Sequence, residues 1–444
     1  GAPTEGANRF VAFDPATGRL VPVGGNSGYG GLYNQQFHVE PRIGFIDDVF
    51  GNSKAVLRGG FAIQAEQPIT NPLITLAANP PNATPLSFTS TVATPFVSFR
   101  NAVNVAGTST LAPSTTPKSF KDAYTENYNL NLQVAVTPSI TAQVGYYGLV
   151  ARHLRLTRNI NQPNGTVRPF ATVAASSSIA PGRALGNITN YDSDGVSNYN
   201  SLWLILAKQM RHNLQFNTSY VYGKSLDLNS LSTQGVVLPD SYNPASNYGP
   251  SDFDVRHRFV FSGVYTLPIR GNFLLTGWQL AGIVQLQTGN PFSVTTNQTI
   301  NGTAGTLRAN LSGQVATQRT FLPNGSVQYL PQSLCFAATA GCNFPIPSGL
   351  ASTQGRGMFF GPGFENTDVS LSKFFPVYRE ARLQFRADAF NLLNHPNLGQ
   401  PSAQVVTSGT MVTAGTFGQI TATRFPTGDS GSSRQLQLSL KLQF

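Results

Sequence analysis

The chain has 444 residues, of which 40% are hydrophobic and 11% charged, and its formal net charge is +10. Average soluble domains carry about 25% charged residues, so this composition argues against an ordinary cytosolic enzyme. The basic residues are scattered and form no run, which argues against nucleic acid as a partner and favours an anionic lipid or lipopolysaccharide surface. No window approaches about 18 consecutive apolar residues, so no transmembrane helix is predicted.

Apolar and polar residues alternate in a long series of segments. A period of two places the apolar side chains on one face of a β-strand and the polar ones on the other. Segments of roughly 9 to 14 residues suit tilted strands in a bilayer better than the shorter strands of soluble sheets. About eleven strands are predicted, at Gln36–Phe45, Ala55–Ile63, Tyr128–Val136, Ile140–Tyr146, Tyr199–Ala207, Leu214–Tyr222, Val255–Leu267, Leu274–Thr288, Asp368–Phe375, Arg382–Leu392 and Arg434–Phe444.

Short and long connections alternate between these strands. The long ones are rich in Gly, Pro, Asn, Ser and Thr and lie at about 68–123, 151–197, 225–253, 289–364 and 394–433. Short turns on one side and long loops on the other are typical of an outer-membrane barrel, with periplasmic turns and extracellular loops. The predicted fold is therefore an all-β antiparallel transmembrane β-barrel over residues 36–444, preceded by an extracellular loop segment over residues 1–35.

The last strand carries the strictest alternation, with Leu436, Leu438, Leu440, Leu442 and Phe444 separated by polar residues. Taken alone, it fits a half-buried strand of a soluble sheet as well as a membrane strand. With about eleven strands the two ends of the chain lie on opposite sides of the sheet, whereas a closed barrel with an even number of strands has both on one side. Either one strand is unrecognised or the chain is a piece of a larger barrel.

Candidate ligand-binding residues are few. Arg256, His257 and Arg258 begin a predicted strand, where they either bind an anionic ligand at the barrel mouth or face lipopolysaccharide as rim charges. Arg382 and Arg386 share the polar face of one strand with Asp388, which predicts a ladder of polar side chains in the lumen, with a ligand or plug contact as the alternative.

A second group of candidates concerns metal and disulfide chemistry. Asp192 and Asp194 stand in an Asp-x-Asp-Gly sequence that resembles part of a calcium loop, but the later ligands are missing and a turn is the favoured interpretation. Cys335 and Cys342 are too far apart for a CxxC motif, and a small loop disulfide in an oxidising compartment is predicted.

The sequence contains no recognisable catalytic motif. The five histidines lie in separate segments without metal-ligand spacing, and no nucleophile or phosphate-binding motif is present. No enzyme activity, cofactor or metal is therefore expected. The prominent aromatic residues are interpreted as an interfacial girdle or as the core of the loops.

Several short stretches occur in a recognisable order and spacing. They are Pro41–Phe45 with Val56–Phe61, Tyr128–Gln133 with Val144–Gly148 and Asn159–Pro163, then Asp252–Phe259, Gly277–Leu280 and Phe385–Pro396, the last being the most specific. From about Asn8 to Phe444 the chain resembles the C-terminal barrel half of TonB-dependent outer-membrane receptors of the Oar-like type.

This resemblance implies about half of a 22-stranded barrel in the cell outer membrane, used for uptake or passage of a large ligand. It implies that an N-terminal plug, the other half of the barrel and the site that couples to the TonB complex are missing from this stretch. It also implies that Leu440, Leu442 and Phe444 belong to the signal read by the barrel-assembly machinery. The alternative is a barrel-derived structural protein that forms a surface or extracellular assembly by pairing strand edges between copies.

Overall fold

The computed structural model describes residues 9–24, 33, 36–66, 74–83, 110–230, 236, 238–300, 307–332, 334–335, 342–378, 380–408, 411–413, 415–424 and 433–444. The architecture is all-β, as the sequence predicts, and its helical elements in the described part are the short 3-10 turns Thr75–Ala78 and Pro244–Asn247. None of the helices described is long and apolar enough to cross a membrane.

Eleven long strands form one antiparallel sheet in which each strand pairs with its neighbours in the chain. They are β1 Arg42–Asp48, β2 Ala55–Glu66, β3 Ala123–Thr137, β4 Ile140–Asn159, β5 Thr189–Arg211, β6 Leu214–Asp227, β7 His257–Thr266, β8 Gln279–Gln287, β9 Phe364–Tyr378, β10 Ala381–Phe390 and β11 Gln435–Gln443. Two short segments extend this sheet, because Ser114–Thr115 pairs with β5 and Gly249–Pro250 pairs with β6.

The sheet is open. In the described part of the chain β1 pairs with β2 alone and β11 pairs with β10 alone, so the two outer strands do not meet and no closed barrel forms. Every residue of β11 is exposed, and so is nearly every residue of β1. The structure therefore presents two free strand edges, at Arg42–Asp48 and at Gln435–Gln443.

The strand registers place most of the large apolar residues of the eleven strands on one face of the sheet, because directly opposed residues share a face. Leu440 of β11, for example, lies opposite Phe385 of β10, and Phe385 lies opposite Lys373 of β9. The apolar face includes Ile43, Phe45, Leu57, Phe61, Tyr128, Leu130, Leu132, Val144, Tyr146, Leu202, Leu204, Phe216, Tyr220, Phe259, Phe261, Leu280, Val284, Val369, Leu371, Leu383, Leu436, Leu438 and Leu442.

The connections differ at the two ends of the sheet. Short connections join successive strands at one end, which we call the turn end: 49–54, 138–139, 212–213, 267–278 and 379–380. Long connections join them at the other end, which we call the loop end: 67–122, 160–188, 228–256, 288–363 and 391–434. His212 and Asn213 both have positive φ, 54° and 64°. Two such residues in a two-residue hairpin form a type I′ turn, whose twist matches that of the strands it joins.

Strands β4 and β5 are longer than predicted. They comprise 20 and 23 residues, and most of the extra length lies at the loop end, so that the connection between them is 160–188 rather than 151–197. About 9 to 11 residues suffice to cross a bilayer. This hairpin therefore extends well beyond the apolar band of the sheet.

The buried apolar clusters lie mainly in the loops, not between layers of the sheet. One cluster joins Phe13 and Leu20 of the hairpin Phe10–Asp14/Arg19–Val23 to Leu111 and to Val173 in the loop 160–188. A second cluster contains Val294 and Phe344 from the loop 288–363 and Val405 and Phe417 from the loop 391–434. We call this packed region the loop layer.

Short strands order the loop layer further. They are Pro291–Phe292, Thr295–Thr296, Leu307–Arg308, Thr320–Phe321, Val327–Gln328, Leu334–Cys335, Phe344–Pro345, Phe359–Phe360, Gln404–Ser408, Met411–Thr413 and Gln419–Ile420. The segment Phe417–Thr423 is strand-like in sequence, and it contributes Gln419–Ile420, which pairs with Val327–Gln328 within the layer.

The assignment of faces can be tested by a matched pair of substitutions in the middle of β9. Leu371 lies on the apolar face and Ser370 on the polar face. Leu371→Arg is expected to lower the free energy of unfolding by about 2–4 kcal/mol, because it carries a guanidinium into hydrocarbon. Ser370→Arg places the same group beside Asp388 and is expected to lower the free energy of unfolding far less. Urea unfolding in lipid vesicles measures both, and equal losses would contradict the assignment.

Candidate functional site

The face opposite the apolar one carries amides, hydroxyls and a few charges. Arg58 Nη1 donates to Gln133 Oε1 at 2.7 Å, and Gln143 Nε2 donates to Asn131 Oδ1 at 3.0 Å. Asn131, which is 7% exposed, also donates to Asn129 Oδ1 at 3.0 Å. Such a network holds its members in fixed orientations and leaves the polar face hydrated but weakly charged.

Arg382 and Arg386 lie on this polar face, on β10. Arg382 is opposite Gln443, and Arg386 is opposite both Ser439 and Ser372. Arg386 Nε donates to Asp388 Oδ1 at 2.8 Å. The Arg386 side chain is 51% exposed, so this pair presents hydrogen-bond donors to whatever occupies the polar side of the sheet.

Arg256, His257 and Arg258 do not converge on one site. Arg256 precedes β7, and its Nη2 lies 3.3 Å from Asp254 Oδ2. His257 lies on the apolar face, with its Nδ1 2.7 Å from the hydroxyl of Tyr220. Arg258 lies on the opposite face, across from Gln287, because consecutive strand residues point in opposite directions.

Asp192 and Asp194 both contact Arg158, which lies on the neighbouring strand β4. A nitrogen of Arg158, Nη2, donates to Asp192 Oδ2, and it lies 3.2 Å from Asp194 Oδ2. The turn interpretation of this segment was wrong, since both residues belong to strand β5. The guanidinium takes the place that a cation would occupy between the carboxylates. Within the described residues no group of three or more His, Cys, Asp and Glu side chains is arranged to hold a metal.

The remaining predicted residues lie in the loop layer and on the edge strand β11. Cys342 is 7% exposed in the loop layer, and the Cys335 side chain lies outside the described residues. Leu440 and Leu442 lie on the apolar face of the edge strand β11, and Phe444 is 96% exposed. Much of the predicted loop 68–123 also lies outside the described residues, which resume at 110.

A pocket that the sequence does not reveal lies within the loop layer. Its volume is about 360 Å³, and we call it the two-arginine pocket. It is lined by residues from three loops, namely Asn229, Asn247, Asp252, Pro291, Phe292, Ser293, Thr295, Arg308, Arg356 and Gln400. No motif or short spacing links these positions, because the loops meet only in the folded layer.

The two arginines of this pocket differ in their surroundings. Arg356 Nη1 lies 2.5 Å from Asp227 Oδ1, a side chain that is 4% exposed, and Nη2 lies 3.1 Å from Asp252 Oδ1. Arg308 contacts neutral groups: it donates to Asn247 Oδ1 at 2.5 Å, to the Ser246 carbonyl oxygen at 2.9 Å and to the Gln354 carbonyl oxygen at 3.1 Å. Burial, and then the charge of Arg356, lowers the pKa of the Arg308 guanidinium below its ordinary value.

The geometry therefore defines a class of protein: an open, meandering β-sheet with one apolar face, a polar face, short turns at one end and a packed layer of loops at the other. The model of the outer membrane beta barrel domain family matches residues 1–437, and the chain belongs to this family. It is accordingly located in the outer membrane. None of the curated proteins matches the chain.

Solved structures to which the chain is similar are outer-membrane transporters and receptors. The outer membrane transporter YddB from Escherichia coli has a TM-score of 0.45 at 13% identity, covering 91% of this chain and 40% of that one. The FrpB iron transporter from Neisseria meningitidis has a TM-score of 0.42 at 9% identity, covering 91% and 39%. The ferric-catecholate import receptor Fiu from E. coli has a TM-score of 0.39 at 9% identity, covering 90% and 34%. The chain thus spans two fifths or less of the length of these structures.

The ion pair of the pocket can be tested through the stability of the loop layer. Arg356→Met leaves the buried Asp227 without its partner, and a loss of about 3–5 kcal/mol is expected. Arg356→Met combined with Asp227→Asn removes both charges and is expected to recover much of that loss. Arg319→Met, at an exposed arginine of the same loop, is the control. Thermal unfolding in detergent, followed by limited proteolysis of the loops, measures the effect. A stable single variant would contradict this role of Arg356.

Proposed function

We propose that this chain is the C-terminal half of the barrel of a TonB-dependent outer-membrane receptor of the Oar-like type, which takes up or passes a large ligand. The open edge of β11, exposed along its whole length, is the observation that supports this proposal most directly. An unpaired backbone group in hydrocarbon costs several kcal/mol, so both edges need partner strands in the membrane. Eleven strands are half of the roughly 22 that form transporter barrels.

The orientation follows from the two kinds of connection. Short turns face the periplasm in outer-membrane barrels and long loops face outwards. The loop layer then meets the medium, captures the ligand and is surrounded by lipopolysaccharide, while the polar face lines the lumen. In this proposal a plug and the segment that couples to the TonB complex belong to residues outside this chain, and plug rearrangement there opens the path. No catalytic step is proposed.

The rival function is a structural one. The same free edges, β1 and β11, can pair between copies of this chain and build a surface or extracellular assembly. Nearly all residues of both strands are exposed, which is the observation in favour of this alternative. The two functions differ in the strand that lies beside each edge.

Photo-cross-linking at both edges distinguishes the two functions. A benzophenone amino acid replaces Gln437 in β11 and Ile46 in β1, and Ser370 in the central strand β9 is the control position. The receptor proposal predicts cross-links to peptides outside residues 1–444 and a native polypeptide much heavier than 47.5 kDa. Cross-links between Gln437 and β1 of a second copy favour the assembly. A native mass of 47.5 kDa together with a cross-link from Gln437 to β1 of the same chain would contradict both functions.

We also propose that Cys335 and Cys342 form a disulfide in the loop layer, which meets the oxidising side of the membrane. The expected result is that iodoacetamide adds no mass to the unfolded protein before reduction. After reduction it adds two carbamidomethyl groups, as measured by intact mass spectrometry. Labelling of both cysteines without reductant would disprove the pairing.

A further inference from the structure

The strongest unassigned feature of the molecule is the charge of Arg308. The side chain is 7% exposed, and its three hydrogen-bond acceptors are two carbonyl oxygens and one amide oxygen. Among the described residues no carboxylate lies within 4.0 Å of its guanidinium. Buried charges in proteins are normally paired, so Arg308 is a candidate for binding an anion from outside the chain.

The neighbouring arginine already has carboxylate partners. Arg356 is matched by two carboxylates, since Asp227 and Asp252 both lie within 3.1 Å of it. Asp252 also lines the pocket, but its contact is with Arg356. The two arginines and the two aspartates of this cluster therefore balance in charge, but both carboxylates contact Arg356 and neither contacts Arg308.

The guanidinium also has donors to spare. Arginine carries five N–H donors, and the contacts with Asn247, Ser246 and Gln354 use one on each nitrogen. One N–H thus remains on each terminal nitrogen of Arg308. Guanidinium N–H groups form strong, charge-assisted hydrogen bonds with the oxygens of a carboxylate or phosphate.

The remaining lining suits the body of a ligand rather than a second ion. Phe292 offers an aromatic surface, and Ser293, Thr295 and Gln400 offer neutral hydrogen-bonding groups. The cavity of about 360 Å³ has the size of a pocket for a small molecule or for one group of a larger one. It is built by the loops through which the proposed receptor meets its ligand.

We infer that the two-arginine pocket binds an oxyanion of the captured ligand, a carboxylate or a phosphate, through the free N–H groups of Arg308. This inference rests on the proposed function in one respect, namely that the bound ligand is one that the receptor transports. The chemistry of the pocket itself depends only on the folded loop layer. An anionic group then places a counter-ion directly against the guanidinium of Arg308.

The test uses the native protein purified from outer membranes in detergent, with whatever chain pairs with its edges. Inorganic phosphate and citrate are the probes, glucose is the neutral control, and isothermal titration calorimetry is the measurement. At least one anion is expected to bind, and glucose is not. Arg308→Gln is expected to weaken binding by about ten- to hundredfold, since a hydrogen bond to a charged group is lost with the charge.

A second variant separates charge from shape. Asn247→Asp places a carboxylate against Nη1 of Arg308, at the site where the amide oxygen lies at 2.5 Å, and supplies the counter-ion internally. It is expected to abolish anion binding although the guanidinium is retained. Arg319→Gln, at an exposed arginine outside the pocket, is expected to bind like the native protein. Folding of each variant is checked by its heat-dependent mobility in gels, and either pocket variant suffices if the other does not fold.

Several outcomes would overturn the inference: no binding of phosphate or citrate to the native protein, native affinity in Arg308→Gln, or unchanged binding in Asn247→Asp. A preference for phosphate over citrate identifies the oxyanion as phosphate, and the reverse identifies it as carboxylate. The calorimetric result does not depend on the cross-links at β1 and β11. Failure of the receptor proposal and failure of the pocket inference are therefore recorded by different measurements.

Discussion

Hydrogen bonding of the backbone at the sheet edges is the constraint on which the rest of this structure depends. In hydrocarbon, each unpaired N–H or C=O group costs several kcal/mol, so a membrane sheet must close or be completed. Within the described chain nine of the eleven strands have partners on both sides, while β1 and β11 have one each. The alternating side chains place an apolar face towards lipid, but they do not relieve this cost. The neighbours of the two edge strands therefore decide the assembled form of the protein.

The same constraint explains where the chain keeps its hydrophobic core. The sheet has one face for lipid and one polar face, so it buries few of its own side chains completely. The clusters around Phe13 and around Phe344 lie instead in the loop layer, where water replaces lipid and apolar side chains must be buried together. Sheet and loop layer thus draw their stability from different sources. Changes in the loop layer can alter ligand contacts without disturbing the pairing of the membrane strands.

The sequence predicted the parts of the fold in which one local rule applies. Each of the eleven predicted strands overlaps a strand of the sheet, because a bilayer imposes a period of two over at least nine residues. The prediction failed for Asn190–Gly195, which was interpreted as a turn. Beyond the apolar band β5 lies against loop segments instead of lipid, Asp192 and Ser193 are buried there, and the polar run Asp192–Asp194 no longer alternates.

Two further features could not be predicted because they depend on contacts between distant segments. Lys373 falls on the apolar face of β9, where alternation calls for an apolar residue. Its Nζ donates to the carbonyl oxygen of Phe273 and lies 4.7 Å from the ring centre of Phe375 and 5.6 Å from that of Trp278. The turn 267–278 thus shields the ammonium group from lipid, and the aromatic rings stabilise its charge. The two-arginine pocket is a second case, since its lining comes from three loops.

The construction of that pocket would connect the proposed capture of a ligand to the sheet. Asn247 belongs to the loop between β6 and β7, Arg308 to the loop between β8 and β9, and Gln400 to the loop between β10 and β11. An anion held there would act on loops rooted in six successive strands, β6 to β11. Burial, and then the charge of the nearby Arg356, disfavours the charged form of Arg308 in the empty pocket. A bound oxyanion removes this penalty, so ligand binding and tight packing of the three loops would reinforce each other by the same free energy.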